Sequence, residues 1–144
     1  MKFYSKEPKP CRADCFSAKG VILASGNRVL LLQKPNGKWD LPGGKLENGE
    51  GWIDGLTREI LEESGFEIKT ADWVAGWSDE KGKQKPVFRG VFLCGLAKNT
   101  LKTKLCISDE HIAGEFVPLK KIQNLDIRME YRHTIALAVE QSET

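Results

Sequence analysis

A continuous apolar run long enough to cross a bilayer is missing from this 144-residue chain; a helical span needs about 18 to 20 such residues. The start, MKFYSKEPKP, also lacks the apolar stretch of a secretory signal, so the expectation is a soluble, cytoplasmic protein with no membrane partner. An excess of either charge is missing too: 22 Lys and Arg against 20 Asp and Glu leave a net +2. So even a balance gives no broad field for a nucleic-acid duplex or an anionic lipid surface. No stable nucleic-acid complex is expected, and any polyanionic substrate must be held locally. Cysteine is sparse. Without a signal peptide the four thiols, Cys11, Cys15, Cys94 and Cys106, are poor disulfide candidates. Cys11 and Cys15 have three residues between them where the commonest zinc knuckle has two, and Cys94 and Cys106 repeat neither spacing. Reduced, partly buried thiols are the expectation. Internal repeats, low-complexity tracts and interior linkers are absent as well, which predicts a single domain over 1–144 with 1–10 as a polar leader.

What is present alternates between strand and helix signals. Ala13 to Ala24 and Arg28 to Gln33 predict two strands around the turn Ser25-Gly26-Asn27. Val29-Leu30-Leu31-Leu32 is apolar on both faces, as in a strand covered on both sides. Lys34 to Asp40 is a polar loop. It leads into Leu41-Pro42-Gly43-Gly44, where the proline rules out an ordinary central strand and the glycines open backbone angles closed to other residues. A helix is predicted from Glu50 or Gly51 to Gly65, with Trp52, Ile53, Leu56 and Ile60 as its apolar stripe. Gly55 is a poor helix former, which suggests close packing there. Glu67 to Ser78 and Val87 to Leu96 predict an antiparallel pair joined by the charged loop DEKGKQK. A loop, Ala97 to Glu110, precedes a strand at Glu115-Phe116-Val117, then a short helix over Pro118 to Leu125. Tyr131, Ile135, Ala138 and Val139 fall at helical spacing in the last element. Strands interrupted by helices, with antiparallel hairpins, imply a mixed α/β sheet covered on both faces.

The informative part of the chain lies within that first helix. Glu62 and Glu63 both neighbour Glu59 on a helical surface, so the three carboxylates repel. Folding gains nothing from such crowding, whereas a hard divalent cation relieves it by taking oxygen ligands. A bare Glu-Glu pair is usually a solvated acidic face. Here the spacing is Gly44, five residues, Glu50, seven residues, Arg58-Glu59, apolar Ile60, one residue, Glu62-Glu63, one residue, Gly65 and apolar Phe66. A chance match to so many fixed positions is on the order of one in a billion per starting position.

Position for position, Gly44 to Phe66 resembles the signature of the Nudix hydrolases. The resemblance implies an α/β/α sandwich and a pyrophosphohydrolase that uses Mg2+, with Mn2+ as a substitute. It implies Gly43 (through its carbonyl), Glu59, Glu62 and Glu63 as metal ligands, and a catalytic set of Glu59, Glu63 and an acidic residue from a later loop. Glu110 is the candidate for that residue, with Asp109 and Glu115 behind it. Arg58 and Glu50 are expected to pair across the helix start, Arg58 also being a candidate phosphate contact. For the rest of the substrate, Trp77, Phe88 and Trp39 are candidate stacking faces for a base. Lys34, Lys38 and Arg89 are candidate phosphate contacts, and Tyr131, Arg132 and His133 are ambiguous.

The substrate expected from this resemblance is a small-molecule nucleotide, specifically a nucleoside diphosphate joined to another group, such as ADP-ribose, a dinucleoside polyphosphate or a dinucleotide cofactor. The alternatives are a nucleoside triphosphate sanitising activity, an RNA 5′-end hydrolase, and a non-catalytic nucleotide-sensing module. A module would be expected to lose acidic positions that this chain retains. Lys81-Gly82-Lys83 and Pro86 carry neither of the family's subgroup markers, and a homodimer stays open.

Overall fold

The computed structural model describes residues 3, 6, 16–25, 27–80, 86–97 and 105–144. Cys11, Cys15 and the loop residues Lys81 to Lys83 lie outside these. In chain order the elements are β1 (Phe16–Ala24), β2 (Arg28–Gln33), β3 (Trp39–Asp40), β4 (Gly43–Lys45), α1 (Trp52–Ser64), β5 (Ile68–Asp79), β6 (Val87–Leu96), β7 (Ala113–Pro118), a 3₁₀ turn (Leu119–Asn124) and α2 (Met129–Ser142). Among the described residues no helix is long and apolar enough to cross a membrane.

The sheet is mixed. Along one edge β1 pairs parallel with β6, from Phe16↔Phe88 to Ile22↔Cys94. Its other edge is shared: Ser17 to Lys19 pair antiparallel with β4, and Leu23 and Ala24 pair antiparallel with β2. β5 flanks β6, while β3 and β7 flank β2. Strand alternation then feeds two separate cores, because successive side chains leave opposite faces. Ala18, Ile22, Leu30, Leu32, Phe92 and Cys94 pack with Trp52, Leu56 and Ile60 of α1. Val21, Val29, Leu31 and Val91 pack with Tyr131, Ile135 and Ala138 of α2. The α/β/α layering follows directly. All four residues of the Val29 to Leu32 run are fully enclosed, as a strand apolar on both faces requires.

Helix α1 starts after Gly51 and stops where Gly65, in the left-handed conformation, donates its N–H to the Leu61 carbonyl. Leu56 and Ile60 are fully buried on its inner face, each contributing about 1.5 to 3 kcal/mol of burial. Ile53 corrects the expected stripe: it is 42% exposed. Position 53 lies 100° round the helix from Trp52, beyond the arc that the sheet covers. At Gly55 an added Cβ would overlap Leu46 Cδ2, so the glycine sets how closely α1 approaches the segment after β4. The predicted helix after Pro118 is a 3₁₀ turn, and the predicted loop before Asp40 closes in the two-residue β3.

Candidate active site

Three elements meet at the glutamates: the last turns of α1, the start of β4, and the loop before β7. Glu63 is 3% exposed. Its Oε1 accepts the Gly43 N–H at 3.1 Å, and its Oε2 lies 3.6 Å from His111 Nε2. Gly43 has φ +131°, and a Cβ there would overlap the Ala18 carbonyl oxygen, so only glycine permits this approach. Glu59 adjoins Glu63, and its carboxylate lies over Gly44, where an added Cβ would come within 2.7 Å. Burial raises the proton affinity of Glu63 well above the usual carboxylate range. Lys19 and the Gly43 N–H oppose that shift, while Glu59 adds to it.

Arg58 braces the outer side. Its Nε and Nη2 donate to the two Glu50 oxygens at 2.9 and 3.0 Å, its Nη1 donates to Glu59 Oε1 at 3.0 Å, and Nη2 also reaches the Lys45 carbonyl at 3.2 Å. Glu50 is in turn held by the Glu47 N–H, and its proton affinity is lowered chiefly by the hydrogen bonds from Arg58. The expected pairing of Arg58 with Glu50 across the helix start is therefore present. Glu62, at 58% side-chain exposure, turns to Arg58 Nη1 at 3.3 Å.

A cavity of about 530 Å³ opens on the α2 side of the sheet. Lys34, Lys38, Trp39, Asp79, Asp126, Arg128, Glu130 and Tyr131 are among the residues lining it. Lys34 Nζ lies 3.8 Å from Asp40 Oδ2. Arg128 donates to Asp79 at 2.9 Å and to Glu130 at 2.7 Å, and Arg89 donates to Asp79 at 3.0 Å. Burial alone would raise the Asp79 pKa, but the two guanidiniums outweigh it and hold the group well below the usual range.

The structure thus brings Gly43, Glu59 and Glu63 together and places Glu62 and Arg58 beside them, with Lys34 at the cavity. Trp77 is a correction: it is fully enclosed among Phe3, Tyr131 and the α2-side core, and presents no ring face to a ligand. Phe88 packs with Phe16 and Trp52, Arg89 is committed to Asp79, and His133 lies against Phe3. Trp39 alone of the three aromatic candidates lines the cavity. Glu110, Asp109 and Glu115 are exposed, and it is His111 that packs against Glu63.

Sequence reasoning missed Lys19, Asp40, His111 and the Asp79, Arg128 and Glu130 group. A signal existed for Lys19, a charge inside an otherwise small and apolar strand, FSAKGVILA. Arg128 carried no local signal.

Comparison with known proteins bears on the family and the fold. The family model described as NUDIX domain matches residues 16–138. A human 8-oxo-dGDP phosphatase is 27% identical over 140 residues, covering 92% of this chain and 42% of its own length. A nucleoside triphosphatase of Salmonella newport is 30% identical over 111 residues, covering 70% and 76%. The chain spans less than half the length of several curated relatives it matches, down to 30% of a Bacillus subtilis Nudix hydrolase. Among solved structures, a MutT protein from Methanosarcina mazei superposes with a TM-score of 0.76 at 27% identity, covering 90% of this chain and 96% of its own. An ADP-ribose pyrophosphatase from Streptococcus suis gives 0.73 at 24% identity, covering 96% and 94%, a likeness of fold.

Proposed function

Because the chain belongs to the Nudix hydrolase family, we propose that it is a Mg2+-dependent pyrophosphohydrolase that cleaves a phosphoanhydride bond of a small-molecule nucleotide. The observation that carries this is Glu63. It is a buried carboxylate set beside a second one, Glu59, and among the described residues no lysine or arginine forms an ion pair with it. A buried carboxyl group without such a partner is costly to ionise, and such groups mark functional sites.

The donor set fits a hard cation. Glu59, Glu63 and the Gly43 carbonyl offer oxygen only, which suits magnesium with its remaining positions on water and phosphate oxygens. Among the described residues no three His, Cys, Asp or Glu side chains already converge to ligate a metal. Glu62 therefore has to leave Arg58 to join the set. When bound, the ion supplies neutralisation of phosphate charge and a more acidic water. The chain supplies the rest: Arg58 holds Glu59 in place, the Gly43 N–H holds Glu63, and Glu59 or Glu63 takes the proton of the attacking water, with Glu110 the candidate on the facing loop. Lys34 and Lys38 meet phosphate oxygens at the mouth of the cavity, and Trp39 borders the nucleoside.

The substrate of this reading is a nucleoside diphosphate joined to a further group. A second reading, hydrolysis of nucleoside di- or triphosphates, is favoured by the relatives named for such substrates. A nucleotide panel assayed with and without Mg2+, with products identified by mass, separates the two. Glu59→Gln and Glu63→Gln should each lower kcat by roughly 10²-fold or more with the fold intact, and Glu110→Gln by less. Near wild-type turnover in either of the first two variants would overturn the assignment.

A further inference from the structure

Lys19 sits at an inward position of the central strand, and none of the chemistry above uses it. It is 6% exposed. An ammonium has three N–H donors, and three acceptors surround this one: Asp40 Oδ2 at 3.2 Å, the Leu41 carbonyl at 3.2 Å and the Gly43 carbonyl at 3.1 Å. All three belong to residues 40–43, the segment that delivers Gly43 to the glutamates. Gly43 is thereby held from both ends, its N–H by Glu63 on α1 and its carbonyl by Lys19 on β1. Burial is the largest single effect on the ammonium and opposes its charge, and Asp40, Tyr131 and Glu63 together outweigh it. A leucine or valine would fill the same strand position without burying a charge, so packing does not explain the lysine.

We propose that Lys19 is a positioning residue for the metal site: by gripping the Leu41 and Gly43 carbonyls it sets where the Gly43 oxygen points relative to Glu59 and Glu63. It thereby sets the affinity of that oxygen set for a divalent cation. The inference rests on the proposed assignment of Gly43, Glu59, Glu62 and Glu63 as ligands. An ammonium near a cation also repels it. Here Asp40 neutralises the ammonium at 3.2 Å, so loss of the grip outweighs relief of the repulsion. Groups that orient a metal ligand from behind typically account for roughly 10- to 100-fold in metal affinity.

The test uses Mn2+ as the probe, titrated calorimetrically into nucleotide-free wild type, Glu63→Gln and Lys19→Met. Equal Mn2+ affinity of Glu63→Gln and wild type would overturn the ligand assignment and the role of Lys19 with it. With that assignment intact, Lys19→Met should bind Mn2+ roughly 10- to 100-fold more weakly. At saturating Mn2+ it should lower kcat while leaving KM for the nucleotide nearly unchanged. A folded Lys19→Met with wild-type Mn2+ affinity overturns the role of Lys19 alone. If that variant does not fold, the unmutated protein decides: the nitrogen-15 resonance of the Lys19 ammonium should move on addition of Mg2+, and a signal unmoved at saturation overturns the proposal.

Discussion

Arg58 and Glu50 meet through two hydrogen bonds, Nε to Oε2 at 2.9 Å and Nη2 to Oε1 at 3.0 Å, while the same guanidinium holds Glu59. A planar fork does this and a point charge does not. Arg58→Lys should therefore lower kcat by roughly 10- to 100-fold with KM little changed, as measured by steady-state kinetics. A raised KM at unchanged kcat would instead mark Arg58 as a ground-state phosphate contact.

Gly55→Ala tests how closely α1 is packed. Alanine gains up to about 1 kcal/mol of helix propensity, but the new methyl overlaps Leu46 Cδ2 and lies 2.9 Å from Glu50 Oε1. Overpacking of this kind costs about 1 to 3 kcal/mol, so urea denaturation should show a net loss. Gly51→Ala is the control, since nothing lies within 4 Å of its added Cβ. It should change stability by less than about 1 kcal/mol.

Stability should fall in acid through Asp79. Its pKa in the fold is depressed by Arg128 and Arg89, so its contribution is complete above the unfolded value of about 3.9 and is lost as pH drops from there towards the folded value. Urea midpoints from neutral pH down to strong acid should decline below about pH 4 in wild type. Asp79→Asn should be less stable at neutral pH and show a shallower acid limb.

Trp77→Phe should leave KM for every substrate unchanged, because the ring it replaces is wholly enclosed. No hydrogen bond is sacrificed, since Trp77 Nε1 has no partner among the described residues. The smaller ring leaves space against Tyr131, and a loss of about 1 to 3 kcal/mol in denaturation is expected. A large rise in KM would show that the pocket reaches this residue.

The features legible in the sequence were those whose cause is local. Gly65 ends α1 because a left-handed residue is needed there, and Val29 to Leu32 declare burial on both faces by composition alone. Spacing along one helix placed Glu59, Glu62 and Glu63 together. What escaped depends on distant partners. Trp77 is enclosed by Tyr131 from the last helix, and Lys19 finds its acceptors more than twenty residues away. His111 reaches Glu63 from a loop whose path no periodicity describes. Arg58 shows the intermediate case, where the residue and its partner Glu50 are evident from spacing but the bridge to Glu59 depends on how the guanidinium folds back over α1.

The parallel pairing of β1 with β6 joins segments roughly 70 residues apart, a separation that makes closure entropically slow. Helix α1 and strand β4 are neighbours in sequence and can find each other early, yet the second edge of β1, from Phe16 to Ile22, is paired only once β6 has docked alongside it. Assembly of the carboxylate site should thus be a late folding event. A chain growing from the ribosome cannot complete it until β6 has emerged, so nascent forms stopped short of Leu96 should lack a formed site even where α1 is already helical.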